Sequence, residues 1–170
     1  YIIAINNEII PNIMNINPLN PYSNDRDWFI LSKGHAALAQ YVALAKAGFF
    51  NKSLLKKEFL SDGGLLGGHP DKNSVPGIEM SSGSLGHGLS IGAGIALSLK
   101  NDINNNKVFV LLGDGELNEG MIWEATMFSS HNNLDNLIAI VDYNKLQGFG
   151  TTDEILNLEP LNEKFQSVGW

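Results

Sequence analysis

Two oxygen-bearing side chains follow two separate apolar runs of this sequence. Asp114 lies in a Gly-Asp-Gly turn directly after the run 108–112, and Asn144 follows the run 137–141. The segment between them has the length of a helix, so the pattern predicts a strand–helix–strand unit with parallel strands. Open sheets of this kind bind ligands at the carboxyl ends of their strands. Carboxylate and amide oxygens suit Mg²⁺, which few protein groups hold together with phosphate oxygens and water. The turn is therefore predicted to bind a metal-bridged diphosphate.

The residues around Asp114 favour an anion at the same place. Gly113 and Gly115 let the backbone turn sharply and present N–H groups to a ligand. A helix predicted to begin near Glu119 directs its N-terminus there, where the helix dipole favours negative charge. The alternative is that Gly-Asp-Gly serves turn geometry alone. The Asn at the end of the next predicted strand favours the metal site.

The four histidines differ in their sequence surroundings. His35 follows a glycine after a short apolar run, and His69 lies in a loop beside glycine and proline. Loop histidines of this kind are candidates for function. His87, between two glycines, either donates to a phosphate or caps the following helix. His131 lies at a predicted helix end, where a solvated role is favoured.

Composition excludes several classes of function. The net charge of −7 and the isoelectric point near 4.9 argue against nucleic acid or an anionic membrane as a partner. The chain has no cysteine, which excludes disulfides, thiolate metal sites and a cysteine nucleophile. The glycines of the segment 83–88 have the wrong spacing for a dinucleotide fingerprint, and no GxxxxGK[ST] phosphate loop is present. No apolar run approaches the ~18 residues of a membrane span, and the first ten residues lack signal-peptide features. We therefore expect a cytoplasmic protein.

Length and patterning predict one α/β domain, a parallel sheet flanked by helices. The 170 residues, 44% of them hydrophobic, suffice for a single core. Helices are predicted over 36–47, 53–60 with Ser53 as N-cap, and 86–100, where Gly88, Gly92 and Gly94 indicate close packing. Residues 1–27 are predicted to form an irregular arm after one short apolar segment. The glycine-rich segment 61–83 is predicted to be a functional loop. The ends at Tyr1 and Trp170 favour a single domain, 1–170, that is incomplete at both ends.

Five ordered motifs resemble those of transketolase: SKGH at 32–35, GGHP at 67–70, PGIEMSSGSLGHG at 76–88, GDGELNEGMIWEA at 113–125, and VDYNKLQ at 141–147. The resemblance is to its thiamine-diphosphate-binding N-terminal domain, in particular to the separate N-terminal subunit of split bacterial-type transketolases. It extends from about residue 15 to 170. Gly-Asp-Gly with a downstream Asn alone indicates only the wider thiamine-diphosphate superfamily, which includes deoxyxylulose phosphate synthases and the alpha subunits of pyruvate dehydrogenase. The other motifs favour transketolase.

The resemblance implies a set of cofactor ligands. Asp114, the Asn144 side chain and the main-chain carbonyl of Leu146 would bind Mg²⁺, or another divalent cation such as Ca²⁺ or Mn²⁺. The ion would bridge to the diphosphate of thiamine diphosphate, which His35 and the backbone of Gly115 would contact.

The resemblance also implies groups around the reacting atoms. Gly83 and Leu85 would line the thiamine side of the pocket, and His69 would reach the donor ketose. Glu119 and Glu124, otherwise interpreted as surface residues, match family residues of the dimer interface and of the proton network between paired sites. With His69 and His35 they complete the implied catalytic set.

The resemblance implies transfer of a two-carbon ketol unit from a ketose phosphate to an aldose phosphate, as in the pentose phosphate pathway. The family's pyrimidine-binding and C-terminal domains, with the glutamate that acts on the cofactor's aminopyrimidine ring, are absent from these residues. We therefore expect a homo- or hetero-oligomer in which a pyrimidine-binding partner completes the site.

Two other hypotheses stay open. In the first, the chain is a non-catalytic remnant that only binds a partner. In the second, it is another thiamine-diphosphate enzyme with a different donor. His87 stands where the family usually has Gln, which leaves its role undecided.

Overall fold

A three-stranded parallel sheet forms the centre of the domain in the computed structural model, which describes residues 2–170. The strands stand in the order β1-β2-β3, and Gly113 at the end of β2 pairs with Asp142 at the end of β3. A small antiparallel hairpin, β4–β5, follows β3. The strands are β1 Trp28–Leu31, β2 Val108–Gly113, β3 Leu137–Asp142, β4 Leu146–Gln147 and β5 Gly150–Thr151.

α-Helices precede, connect and follow the strands, and the described residues also include a π-helix and two 3₁₀ turns. The α-helices are α1 Ile2–Glu8, α2 Ala37–Ala47, α3 Ser53–Glu58, α4 His87–Asn101, α5 Gly120–His131, α6 Thr152–Ile155 and α7 Leu161–Ser167. A π-helix spans Ile9–Ile13, and 3₁₀ turns span Gly34–Ala36 and Gly115–Asn118.

The sheet is covered on both faces, as the predicted α/β class requires. Alternate strand residues point to opposite faces, so Phe29 and Leu31 pack with α2 while Ile30 packs with α4. Every residue of β2 is buried, since β2 is the central strand and helices lie on both sides of it. The predicted fold class is confirmed.

The first half of the N-terminal arm is the element that the sequence prediction missed. It is helical from Ile2 to Ile13, where Ile9 and Ile10 are buried against α2, whereas residues 14–27 form no helix or strand, as predicted. Isoleucines at positions 2, 5 and 9 have helical spacing, a signal that the abundance of Asn and Pro obscured. Tyr1 lies outside the described residues.

One predicted helix start is corrected and another is confirmed. Ser53 is the first residue of α3 but does not cap it; instead its N–H donates to Asn51 Oδ1 at 2.9 Å. The helix predicted near Glu119 begins at Gly120, after the 3₁₀ turn Gly115–Asn118. The helical N–H groups that directly follow Asp114 in the chain therefore belong to that short turn and not to α5.

Close packing explains two glycines of α4 but not the third, since a Cβ on Gly88 would overlap the side chain of the serine that follows β1. A Cβ on Gly92 would lie 2.6 Å from Val110 Cγ2 and 3.3 Å from Leu137 Cδ1, so the helix contacts the sheet there through its backbone. A Cβ on Gly94 would meet nothing within 4 Å. The predicted packing role is thus confirmed for Gly88 and Gly92, while Gly94 has none in the described chain.

None of the helices in the described part of the chain combines the length and apolar character needed to cross a bilayer.

Replacing Gly92 and replacing Gly94 with alanine should have opposite effects on stability. Gly92→Ala should lower the free energy of unfolding by about 1–3 kcal/mol, because the buried valine opposite cannot move away without strain. Gly94→Ala, the matched control, should raise it by up to about 1 kcal/mol through helix propensity. Urea unfolding followed by circular dichroism measures both. Equal effects of the two substitutions would contradict the packing assigned to Gly92.

Candidate functional site

The carboxylate of Asp114 connects the carboxyl ends of β2 and β3. Asp114 is 2% exposed, and its Oδ1 accepts the Gly115 N–H at 2.9 Å. Its Oδ2 accepts the N–H of Lys145, the residue directly after Asn144. Asn144 itself is exposed, and its Oδ1 accepts the Leu146 N–H at 2.8 Å. The two strand ends that the sequence predicted to carry the metal ligands are therefore in direct contact.

The donor set at these strand ends is one carboxylate, one amide and nearby main-chain carbonyls. Across residues 2–170, no three His, Asp or Glu side chains are placed to hold a metal together. A hard cation that keeps water and phosphate oxygens among its ligands needs only one or two protein carboxylates. The chemistry of the set therefore fits Mg²⁺.

The long loop between α3 and α4 closes the second side of the site. A Cβ on Gly34 would lie 2.8 Å from the Gly83 nitrogen, so only glycine lets the end of β1 approach this loop. A Cβ on Gly83 would lie 3.3 Å from the Cδ2 atom of His69, and the Tyr41 hydroxyl donates to the His69 carbonyl at 3.2 Å. His35, His69 and Gly83, predicted from three separate motifs, thus lie around one place.

His35 lies in the 3₁₀ turn after β1 with its side chain exposed. Desolvation and, next, the nearby Lys33 ammonium lower the pKa of His35 below its ordinary value, while Glu116 acts in the opposite direction. The imidazole is therefore neutral at physiological pH and offers one donor and one acceptor nitrogen.

A buried glutamate that sequence reasoning did not single out joins three segments of the site. Glu116 is 3% exposed. Its Oε1 accepts from the Ser32 hydroxyl and from the Gly86 N–H at 2.8 Å, and its Oε2 accepts from the Gly113 N–H at 3.0 Å. It therefore fixes the ends of β1 and β2 and the loop before α4 relative to one another. The sequence feature that could have pointed to Glu116 is its position two residues after Asp114, inside the turn that follows.

A buried ion pair was also missed. The Lys33 ammonium lies 2.8 Å from Asp142 Oδ2, with side-chain exposures of 8% and 6%. Lys33 is in the SKGH motif and Asp142 closes an apolar run, but nothing in the sequence shows that they meet.

Several other predicted site residues lie at the rim. Glu119 is the residue before α5 and Glu124 lies on α5, and both side chains are exposed. Leu85 is half-buried, and its carbonyl oxygen lies 3.2 Å from Nδ1 of the exposed His87. The predictions for these residues stay untested, because each concerns a contact with another molecule. His131 is the last residue of α5 and is exposed.

Two buried polar atoms at the site have no protein partner within the described residues. These are the Ser82 hydroxyl and the Gln147 Nε2 atom. Ser82 lies against Gly34, and Gln147 Cγ would lie 3.0 Å from a Cβ on Gly115. Buried donors are normally paired, so both positions fit a ligand that supplies acceptor oxygens. The arrangement therefore fits a diphosphate group together with a cation.

Fold and site together define a parallel α/β domain whose strand ends bring oxygen donors and unpaired polar atoms to one edge. The family model described as transketolase, thiamine diphosphate binding domain, matches residues 2–170. The chain belongs to this family, and the family named from the sequence motifs is confirmed.

Two bacterial relatives extend the likeness to split transketolases. The chain is 45% identical to a subunit of the apulose-4-phosphate transketolase of Phocaeicola vulgatus, over 93% of this chain and 56% of that subunit. It is 46% identical to the 6-deoxy-6-sulfo-D-fructose transketolase subunit SqwG of a Clostridium species, over 93% and 57%. The chain thus spans little more than half the length of these relatives.

A solved structure confirms the fold. A Pichia stipitis transketolase in complex with sedoheptulose-7-phosphate superposes with a TM-score of 0.85 at 38% identity, covering 92% of this chain and 25% of that one.

The role assigned to Glu116 leads to a stability prediction. Glu116→Gln should lower the free energy of unfolding by about 1–3 kcal/mol, because one of its three buried donors would lose an acceptor. Glu124→Gln on the exposed face of α5 is the matched control and should change it by less than about 0.5 kcal/mol. Chemical denaturation measures both variants. A Glu116→Gln protein as stable as the control would contradict the joining role.

Proposed function

We propose that this chain is the thiamine-diphosphate-binding component of a transketolase. It works with Mg²⁺ and transfers a two-carbon ketol unit from a ketose phosphate to an aldose phosphate. The observation that carries the proposal is the contact between Asp114 and the backbone after Asn144, at an edge lined by unpaired donors. Membership in the family supports the cofactor.

The proposed cation ligands are Asp114, Asn144 and the main-chain carbonyl of Leu146. The carboxylate oxygens of Asp114 and the amide oxygen of Asn144 each accept one backbone N–H and keep lone pairs for a metal. The metal would be Mg²⁺, because the donors are hard oxygens and include a single carboxylate.

The proposed diphosphate contacts are His35, the Gly115 backbone and the unpaired donors of Ser82 and Gln147. The neutral imidazole of His35 donates without adding a fixed charge. When bound, thiamine diphosphate supplies a carbanion and an electron sink for the ketol unit. The chain's own contribution is to fix the diphosphate and to orient the cofactor.

His69 is proposed to act on the substrate. Its exposed ring lies against Gly83, which with Leu85 is proposed to line the thiamine side. A histidine there can accept a proton from a sugar hydroxyl, or donate one to the oxygen of the carbonyl whose carbon is attacked.

We further propose that a second, pyrimidine-binding polypeptide completes the site. Apolar side chains are exposed on α4 at Ile91 and on α5 at Met127 and Phe128, which stand three and four residues after Glu124 and so share its helix face. The hairpin next to Asn144 exposes Phe149 fully. Exposed apolar patches of this kind mark interaction surfaces. The naming of two relatives as subunits is in keeping with a partner.

The donor and acceptor sugars are proposed only as classes. The names of the relatives refer to apulose 4-phosphate and to 6-deoxy-6-sulfofructose, and the Pichia structure contains sedoheptulose 7-phosphate. These compounds favour an anionic ketose over pyruvate as the donor. The proposal includes a cytoplasmic location, for which the cysteine-free composition is the support.

Replacing the carboxylate of Asp114 tests the metal site. In the full-length protein, Asp114→Asn should abolish Mg²⁺-dependent binding of thiamine diphosphate, because the charged ligand is lost while an acceptor for the Lys145 N–H remains. Calorimetric titration with the cofactor, with and without Mg²⁺, measures the effect. Asp135→Asn, an exposed acidic residue before β3, is the control and should bind normally. Normal cofactor affinity of Asp114→Asn would refute the metal assignment.

Assays of the unaltered full-length protein test the reaction itself. Ketol transfer from a ketose phosphate should require the pyrimidine-domain partner, and pyruvate should not replace the donor. Robust transfer by the chain alone would contradict the need for a partner. Cofactor binding without turnover in the complete complex would favour a non-catalytic remnant, and turnover with pyruvate would favour a keto-acid enzyme.

The substrate role of His69 predicts a separation of turnover from cofactor binding. His69→Ala in the complete complex should lower kcat by at least about 10²-fold, the size of a lost acid–base contribution. The affinity for thiamine diphosphate should stay close to that of the unaltered protein. Steady-state kinetics and cofactor titration give the two quantities. A larger loss of cofactor affinity than of kcat would assign His69 to the cofactor instead.

A further inference from the structure

The ion pair between Lys33 and Asp142 crosses the end of the central strand. Lys33 follows β1 and Asp142 ends β3, with β2 between them. The Lys33 ammonium reaches across Gly113, where its Nζ lies 3.6 Å from the position of a Cβ built on that glycine. One side chain therefore connects the two outer strands at the edge that carries the proposed metal site.

Stability alone is a weak reason for this pair. Both side chains are more than nine-tenths buried, and removing two charges from water costs several kcal/mol per ion. Well-packed apolar residues in place of a buried ion pair are often as stable or more stable. The geometry around Asp142 gives a more specific reason.

Asp142 holds one end of the Asn144 amide. Asp142 Oδ2 accepts from Asn144 Nδ2 at 3.4 Å, in addition to its contact with Lys33. The opposite end of the amide, Oδ1, accepts the Leu146 N–H at 2.8 Å. The two contacts distinguish the donor end from the acceptor end of a side chain that is otherwise exposed and free to flip.

We propose that Asp142 is a positioning residue that orients the Asn144 amide so that its oxygen faces the cation. Asp142 accepts from the amide N–H₂ group, and Lys33 compensates the buried charge of Asp142, so that Lys33 is needed only while residue 142 is charged. The arrangement follows the general rule that partners behind a metal ligand set its orientation and tune its affinity. The inference rests on the proposed function, since it assumes that Asn144 is a metal ligand.

Two double variants separate orientation from charge. Lys33→Met with Asp142→Asn removes both charges but leaves a carbonyl oxygen that can accept from Asn144. Lys33→Met with Asp142→Leu removes the charges and the acceptor while keeping the same number and branching of side-chain heavy atoms. In the full-length protein with its partner and saturating thiamine diphosphate, the first should bind Mg²⁺ about as tightly as the unaltered protein. The second should bind it about 10- to 100-fold more weakly, the usual loss when such a partner is removed.

Calorimetric titration with Mg²⁺ measures both affinities without any assay of activity. Thermal unfolding without metal should be similar for the two variants, which separates orientation from loss of fold. If the leucine variant unfolds, Asp142→Ala with Lys33→Met makes the same comparison without added bulk. Equal Mg²⁺ affinities of the paired variants would overturn the positioning role.

A third substitution gives an independent readout. A carboxylate has two equivalent oxygens and needs no orientation, so adding Asn144→Asp should raise Mg²⁺ affinity more in the Asp142→Leu background than in the Asp142→Asn background. Equal gains would overturn the inference. Unaltered protein that binds thiamine diphosphate without any need for Mg²⁺ would overturn the proposed function instead, so the two failures are distinguishable.

Discussion

The parallel pairing of β2 with β3 is the constraint on which the site depends. The register places Gly113 beside Asp142, so the residues that follow each strand emerge at one edge. Asp114 can then accept an N–H from the backbone after β3, although Lys145 is far away in sequence. A one-residue slip would send the strand side chains to the opposite faces of the sheet. The register is held because every residue of β2 is buried between two layers of helices.

At this edge of the sheet a buried polar network joins the strand ends, while the candidate groups for substrate and partner are exposed. Glu116, Lys33 and Asp142 are buried, and the donors and acceptors they join come from all three strand ends. A satisfied polar network of this kind fixes one arrangement of its members. In contrast, the candidate groups for the substrate and for a partner, among them His69 and Glu124, are exposed. The domain therefore provides a prepared anchor for a cofactor, while the reacting end of that cofactor would extend to where a second polypeptide is proposed to bind.

Agreement between sequence and structure was best where a local pattern carried the information. The apolar runs gave β2 and β3 nearly to the residue, because strands of a parallel sheet with helices on its faces are continuously apolar. The two oxygen donors at their ends followed from topology alone. The helical start of the N-terminal arm, residues 2–13, was mispredicted, since its packing against α2 overrides the turn-forming tendency of its Asn and Pro residues. Gly94 was assigned a packing role that Gly92 has, because a spacing of glycines does not say which of them faces the sheet.

The sequence by itself determined the fold class, the family and the candidate ligands, since each depends on residue types in a fixed order along the chain. Only the tertiary structure revealed that Glu116 joins three segments and that Lys33 pairs with Asp142. These contacts join groups that are distant in sequence, and a lysine or glutamate near a turn is ordinarily solvated. Burial and partner choice are properties of the packed chain, because they arise when the strand ends come within hydrogen-bonding distance and water is excluded.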